Sequence, residues 1–253
     1  MESLLPFLFV LVAFIYSSVG LGGGSSYTAL MTVFGISYQI IPTTSLTLNL
    51  FVTFIGVINF WRNGYGRLNL IVPFLITSIP MAYLGGLLAL PKILFQIILL
   101  ITLILVIIRI YILHHLQFSI QIRGIPKWIF IFGLGGILGF IAGTVGIGGG
   151  IYLVPLIIMF GLGSEKEAAA AGAMFIWVNS LAGVIARTQS GTFDVDFIIP
   201  LAGAVIVGGI GGSYLGAVRF DANTIQKVMG AVVIIAVIFL FRDIKNIFWK
   251  TKI

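Results

Sequence analysis

Long uninterrupted apolar segments dominate the pattern of hydrophobic and polar positions along the chain. They lie at about 4–35, 42–61, 69–90 and 93–113, and again at 128–161, 167–187, 196–217 and 224–241. A helix needs about 20 apolar residues to cross a bilayer, so each segment is long enough for a crossing. The pattern predicts an all-α integral membrane protein with about eight transmembrane segments, within a range of about seven to ten.

The second set of segments repeats the first at an offset of 126–127 residues. The matched positions are Phe34-Gly35 with Phe160-Gly161, Gly56 with Gly183, Gly64 with Gly191, Pro73 with Pro200 and Gly85 with Gly212. We therefore expect two homologous four-segment repeats, at 1–113 and 128–253, joined by a cytoplasmic linker at 114–127. If each segment crosses once, the repeats are parallel. Two crossings by each first segment would make five per repeat and invert them.

A glycine run interrupts the first segment of each repeat. Val19-Gly20-Leu21-Gly22-Gly23-Gly24 returns as Val145-Gly146-Ile147-Gly148-Gly149-Gly150. Glycine costs about 1 kcal/mol per residue inside a helix, and each segment would exceed about 45 Å as one helix. The run therefore predicts a Gly-broken or re-entrant helix. Such breaks at matching positions of two halves indicate a transporter's substrate site.

Composition narrows the functional classes. Hydrophobic residues make up 60% of the chain and charged residues 8%, and there is no cysteine. Disulfides, thiolate metal sites and cysteine catalysis are excluded. The net charge of +7 is scattered at segment ends, which is typical of topology signals and not of nucleic-acid binding. We expect no cofactor and no metal site. The expected partners are the lipid bilayer and a small anionic substrate; the oligomeric state stays open, with a homodimer as one candidate.

The candidate substrate site is built around the two glycine runs. An unwound turn followed by a helix start exposes N–H groups beside the positive end of a helix dipole, which favours anions. Nearby hydroxyls and amides within the spans would complete the pocket. Close packing of small residues and interhelical hydrogen bonding are the alternative explanations. The candidates are Gly20, Gly22, Gly23, Gly24, Ser25, Ser26, Asn49, Thr144, Gly146, Gly148, Gly149, Gly150 and Asn179.

Cations at the segment ends suggest a second feature. Matching segments end in Arg62, Arg187 and Gln189. We expect these residues to form an entry vestibule for anions. The alternative is that they lie in water and only set the orientation of the protein in the membrane. With single crossings, ten of the 14 Lys and Arg residues fall on the side of the linker. The excess places both termini and the linker in the cytoplasm.

These motifs resemble the sulfite exporter TauE/SafE family over nearly the whole chain. The resemblance rests on the doubled GxGGG, on Pro155 five residues after Gly150, on the small-residue second helix and on Gly191-Thr192-Phe193-Asp194. It implies an inner-membrane permease, an exporter of small sulfur oxyanions or organosulfonates.

The first repeat departs from the motifs of the second. Ala29 stands where it would match Pro155, and Arg67 stands where it would match Asp194. We therefore do not expect an exactly symmetric site. A membrane enzyme or a non-transporting subunit is the alternative function. An enzyme needs a perturbed acid, base or nucleophile in a cavity, and the sequence shows no such set, so we predict a transporter that is not an enzyme.

Overall fold

The computed structural model describes residues 4–88, 90–112, 125–189, 193–218 and positions 234, 237, 238, 240–242, 244 and 245. Within these ranges there is no strand. The helices are α1 (Leu5–Ser17), α2 (Gly24–Val33), α3 (Ile41–Arg62), α4 (Leu68–Leu87), α5 (Lys92–Ile107), α6 (Ile125–Val145), α7 (Gly150–Met159), α8 (Glu165–Thr188) and α9 (Val195–Val218). A π-helical turn, Ile108–Ile112, extends α5.

Five of the described helices are long and apolar enough to cross a membrane. They are Ile41–Arg62, Leu68–Leu87, Trp128–Val145, Glu165–Thr188 and Val195–Gly216, and two shorter apolar helices cover Leu5–Ser17 and Lys92–Leu105. The prediction of an all-α membrane protein is confirmed, but eight spans are not. Segment 224–241 lies mostly outside the described residues, as does most of the predicted linker 114–127. α6 already begins at Ile125, inside that linker.

The first glycine run reverses the chain between α1 and α2. Phe9 and Tyr27 would be about 27 Å apart in one continuous helix, but their rings stack with centroids 4.7 Å apart. α2 therefore folds back against α1. With 13 and 10 residues, the two helices are about 20 Å and 15 Å long, and each is shorter than the hydrocarbon core of a bilayer.

The second glycine run makes a matching reversal between α6 and α7. α6 ends beside the last turn of α8, where Arg187 donates a hydrogen bond to the carbonyl oxygen of Gly143 at 3.0 Å. α7 begins beside the middle of α8, since a Cβ atom added at Gly150 would lie 2.5 Å from Cδ1 of Ile176. Non-helical backbone between Val145 and Gly150 thus returns the chain from one end of the bundle to its middle.

The matched helices α3 and α8 run antiparallel. Gly183 faces Leu46, with an added Cβ atom 2.8 Å from Cδ1 of that leucine, and Gly56 faces Ala173 at 3.5 Å. Residue numbers therefore rise along α3 as they fall along α8. Since Gly56 and Gly183 are matched positions of the two halves, each contact is the counterpart of the other. We call the end where α3 finishes the Arg62 end and the end where α8 finishes the Arg187 end.

Four other helix pairs are parallel and fix the direction of the remaining long helices. They are α1 with α9 (Val10 against Gly208, Ser18 against Gly216), α9 with α3 (Val52 against Gly209, Asn59 against Ser213), α4 with α6 (Phe74 against Gly135, Ala82 against Gly143) and α4 with α8 (Arg67 against Glu167, Gly86 against Ala186). In the α1–α9 and α4–α6 pairs, glycines spaced four apart let the neighbouring backbone approach closely.

These directions contradict the orientation expected from single crossings. α1, α3 and α9 start at the Arg187 end, whereas α4, α6 and α8 start at the Arg62 end. The start of α1 and the start of α6 therefore lie at opposite ends of the bundle, whereas single crossings would place them at the same end. The difference arises because each broken segment reverses direction at its glycine run instead of continuing across the bundle. A count of Lys and Arg based on single crossings no longer decides which side is cytoplasmic.

Candidate functional site at the two glycine turns

The two short helices α2 and α7 begin at the glycine turns, in the interior of the bundle. Gly23 precedes α2 with φ 89°, and Gly149 precedes α7 with φ 73°, and neither helix has a side-chain cap. Glycine adopts a left-handed φ without steric strain. The two glycine runs therefore allow the chain to make both turns. The first N–H groups of a helix lack intrahelical partners, so both helices present donors and a positive dipole end to the interior.

The two turns contact each other directly. A Cβ atom added at Gly24 would lie 2.8 Å from the carbonyl oxygen of Ile147 and 2.9 Å from that of Gly146. Ser45 of α3 joins them, because its hydroxyl bonds to the carbonyl oxygens of Gly146 at 2.7 Å and Gly24 at 3.2 Å. The structure therefore brings the two glycine runs together. Ser45 is one of the hydroxyls within the spans for which the sequence favoured interhelical hydrogen bonding over a place in the site.

Asn49 lies between the turns with both amide atoms unpartnered. Its side chain is fully buried, and neither Nδ2 nor Oδ1 has a hydrogen-bond partner. The amide contacts Gly22, and its Nδ2 would lie 2.6 Å and 3.0 Å from Cβ atoms added at Gly24 and Gly148. A buried amide without partners costs free energy. Next to three candidate glycines, this amide therefore has a donor and an acceptor that no protein group satisfies.

On the α8 side, the residue that contacts the second glycine turn is apolar. Ile176, which matches Asn49 at the repeat offset, contacts Gly148 and Gly150. Asn179 lies on the same face of α8, one turn towards the Arg187 end. Its Nδ2 donates to the carbonyl oxygen of Phe175 at 2.9 Å, and its buried Oδ1 has no partner. The two halves thus differ at the site, as the motif departures in the first repeat led us to expect.

Comparison with known proteins assigns the chain to a family. The family model described as "Sulfite exporter TauE/SafE" matches residues 5–240. The chain belongs to the TauE/SafE family. It is similar to a protein of Sinorhizobium fredii (strain NBRC 101917 / NGR234) described as "Probable membrane transporter protein y4hK", with 31% identity over 236 residues, which cover 92% of this chain and 95% of the relative.

A second relative matches over part of its length. A Bacillus subtilis (strain 168) protein described as "Probable membrane transporter protein YunE" is 31% identical over 102 residues, which cover 39% of this chain and 36% of the relative. No solved structure matches the chain. Family and relatives together make this chain a multi-pass membrane protein of the TauE/SafE transporter type, which agrees with the prediction of a non-enzyme.

The serine candidates of this TauE/SafE protein are already partnered. The hydroxyl of Tyr16, in the last turn of α1, bonds to Oγ of Ser25 at 3.0 Å and to Oγ of Ser26 at 2.7 Å. These three buried groups tie the start of α2 to the end of α1. Tyr16 was missed because an aromatic residue in an apolar segment is read as core. The Tyr27 hydroxyl nearby is buried without a partner.

Two of the predicted site residues lie away from the glycine turns' shared centre. Thr144 bonds through Oγ1 to Phe140 of its own helix at 2.6 Å and packs on Gly85 of α4. Gly20 packs on the backbone of Ala169, near the Arg62 end. These two residues pack against neighbouring helices beside the turns.

The predicted vestibule of Arg62, Arg187 and Gln189 is not assembled. Arg62 is exposed at the end of α3, whereas Arg187 and Gln189 end the antiparallel helix α8 at the opposite end of the bundle. Arg187 is only 6% exposed and donates to the last carbonyl oxygens of α6, at Gly143 and Thr144. Arg187 therefore binds the negative end of the α6 dipole. The matching positions of the two repeats do not reveal this contact, because it depends on how α6 packs against α8.

Proposed function

We propose that this TauE/SafE protein carries a small sulfur-containing anion, such as sulfite or an organosulfonate, outwards across the plasma membrane, and that the anion binds between the two glycine turns. The observation that carries the proposal is Asn49, a buried and unpartnered amide at the meeting point of the turns. Family membership supports the transporter class.

The chemistry of the turns suits an anion that must also be released. The starts of α2 and α7 each contribute about half a positive charge, together with free N–H donors. Partial charges attract an oxyanion without the strength of a buried Lys or Arg. Asn49 adds a further donor beside Gly24 and Gly148.

The symmetry of the packing supports a pair of inverted repeats. Leu46 of α3 contacts Gly183 of α8. The counterparts of these two residues, Ala173 of α8 and Gly56 of α3, make the same contact with the two helices exchanged. We propose that the two halves descend from one unit, related by a two-fold axis in the membrane plane. Transporters of this kind expose a central site alternately to each side by moving one half against the other. Ser45 and Asn49, where the two turns meet, are fully buried at 0% exposure.

Transport by the purified chain alone is the direct test. Proteoliposomes loaded with radiolabelled sulfite should release it faster than protein-free liposomes, and Asn49→Ala should slow the release. Asn63→Ala, at the exposed end of α3, is the matched control on the same helix and should transport at the wild-type rate. No flux from correctly folded protein would contradict the proposal and favour a non-transporting subunit or a membrane enzyme.

A further inference from the structure

Asn49 presents an acceptor to the site as well as a donor. An asparagine amide has one NH₂ group and one carbonyl oxygen. Both atoms are buried without a partner, with Nδ2 beside Gly24 and Gly148 and Oδ1 beside Gly22. Any ligand that satisfies this residue fully must accept one hydrogen bond and donate another.

Asn179 adds a second acceptor on α8. Its Nδ2 donates to the Phe175 carbonyl oxygen at 2.9 Å, which fixes the orientation of the amide. Its Oδ1 is then the atom left buried and unpartnered. Since Asn179 follows Ile176 by less than one turn of α8, this oxygen lies on the helix face that meets the second glycine turn.

Two acceptor oxygens are at odds with a simple oxyanion. A fully ionised sulfite or an alkanesulfonate offers only acceptors, so it can use the N–H groups of the turns and the Asn49 amide nitrogen but leaves the amide oxygen unpaired. Because this acceptor is already unpaired before binding, a ligand that leaves it unpaired binds about 10- to 100-fold more weakly than one that donates a hydrogen bond to it.

We infer that the site selects monoanions that bring their own hydrogen-bond donor, a hydroxyl or N–H group close to the sulfur oxyanion. The anionic oxygens bind the N–H groups at the starts of α2 and α7, and the donor binds Oδ1 of Asn49. Hydrogen sulfite with an O–H group, hydroxyalkanesulfonates and aminoalkanesulfonates meet this requirement. The inference rests on the proposed function of the same site and narrows its substrate class.

Isethionate and ethanesulfonate provide a matched test, because they carry the same charge and differ by one hydroxyl group. Their dissociation constants, and that of sulfite, are measured on purified full-length protein by titration calorimetry. Isethionate should bind at least about tenfold more tightly than ethanesulfonate. In Asn49→Leu this ratio should fall to about one, since the acceptor is gone and the hydroxyl is no longer needed.

Asn59→Leu is the matched control for that variant. Asn59 lies on the same helix, but its amide already donates to Oγ of Ser213 at 2.6 Å, so the ratio should stay at its wild-type value. Sulfite binding together with equal or unmeasurable affinities for the two sulfonates overturns the inference and leaves the proposed function standing. A preference that persists in Asn49→Leu also overturns it. Absence of binding by all three anions overturns the proposed function, and this inference with it.

Discussion

The hydroxyl of Ser45 donates a hydrogen bond to the carbonyl oxygen of Gly146 at 2.7 Å, across 101 residues of sequence. It joins a long helix of the first half to the glycine turn of the second. A residue of one half therefore positions the broken helix of the other, and the site is made from both.

Ser45→Ala should loosen this junction. The substitution leaves the buried Gly146 carbonyl without that donor, which costs about 1–3 kcal/mol, and it should lower both the melting temperature and sulfite affinity. Thermal unfolding in detergent and sulfite titration measure the two effects. Ser37→Ala, in the exposed loop before α3, is the control and should behave as wild type. An unchanged affinity in Ser45→Ala would show that the junction does not shape the site.

A side chain at Gly149 should damage transport more than one at Gly161. Both glycines have positive φ, but an added Cβ atom at Gly149 would lie 2.9 Å from the Phe175 ring, whereas the space around Gly161 is open. Backbone strain of about 1–2 kcal/mol is common to both alanine variants, so the difference between them reports crowding at the turn. We expect Gly149→Ala to lose most sulfite flux in proteoliposomes and Gly161→Ala to retain it. Equal losses of flux in the two variants would show that backbone strain, and not crowding at the turn, causes the loss.

Asn49→Leu should bind sulfite more weakly without destabilising the protein. Removing an amide with no partners relieves a desolvation cost of about 1–3 kcal/mol, so the melting temperature of the ligand-free protein should hold or rise. Asn59→Leu breaks a hydrogen bond to Ser213 and should lower it. If Asn49→Leu unfolds at a markedly lower temperature, the amide serves packing of the helices and not the ligand.

The antiparallel arrangement of α3 and α8 predicts opposite sidedness for their ends. The chain contains no cysteine, so single cysteines can be introduced without other changes. Asn63→Cys and Gln189→Cys, both at exposed positions, should react with a membrane-impermeant maleimide from opposite sides of the membrane. Labelling of right-side-out and inverted vesicles measures this. Reaction of both cysteines from the same side would contradict the antiparallel arrangement of α3 and α8.

The driving force should be the membrane potential. The carboxylates of the described ranges, Glu165, Glu167, Asp194 and Asp196, all lie at or beside the starts of α8 and α9, away from the turns. A potential supplies about 2.3 kcal/mol per charge per 100 mV, or roughly a 50-fold gradient for a monoanion. A potassium-diffusion potential should therefore change sulfite flux, and sodium replacement should leave it unchanged. Flux that follows only an imposed pH gradient would contradict this mechanism.

The sequence by itself determined the class of the protein and the location of its breaks. Apolar segments of sufficient length predict membrane helices. Glycine clusters weaken a helix, but a cluster alone does not break one, since Gly208, Gly209, Gly211 and Gly212 remain helical within α9; the two runs that do break the chain are those repeated in over-long segments. The matching offset of 126–127 residues also pointed to two halves. These features depend on local composition and periodicity, which a linear reading contains in full.

Only the tertiary structure decided directions and partners. Whether a broken segment crosses once or returns depends on the dihedral angles of a few glycines, such as Gly23 and Gly149, whose freedom leaves both outcomes open. That choice inverted α8 relative to α3, separated Arg62 from Arg187 and brought Ser45 to Gly146. It also placed Asn49 against Gly148 while its counterpart Ile176 met the same glycine from α8, because antiparallel packing brings matched positions to one centre.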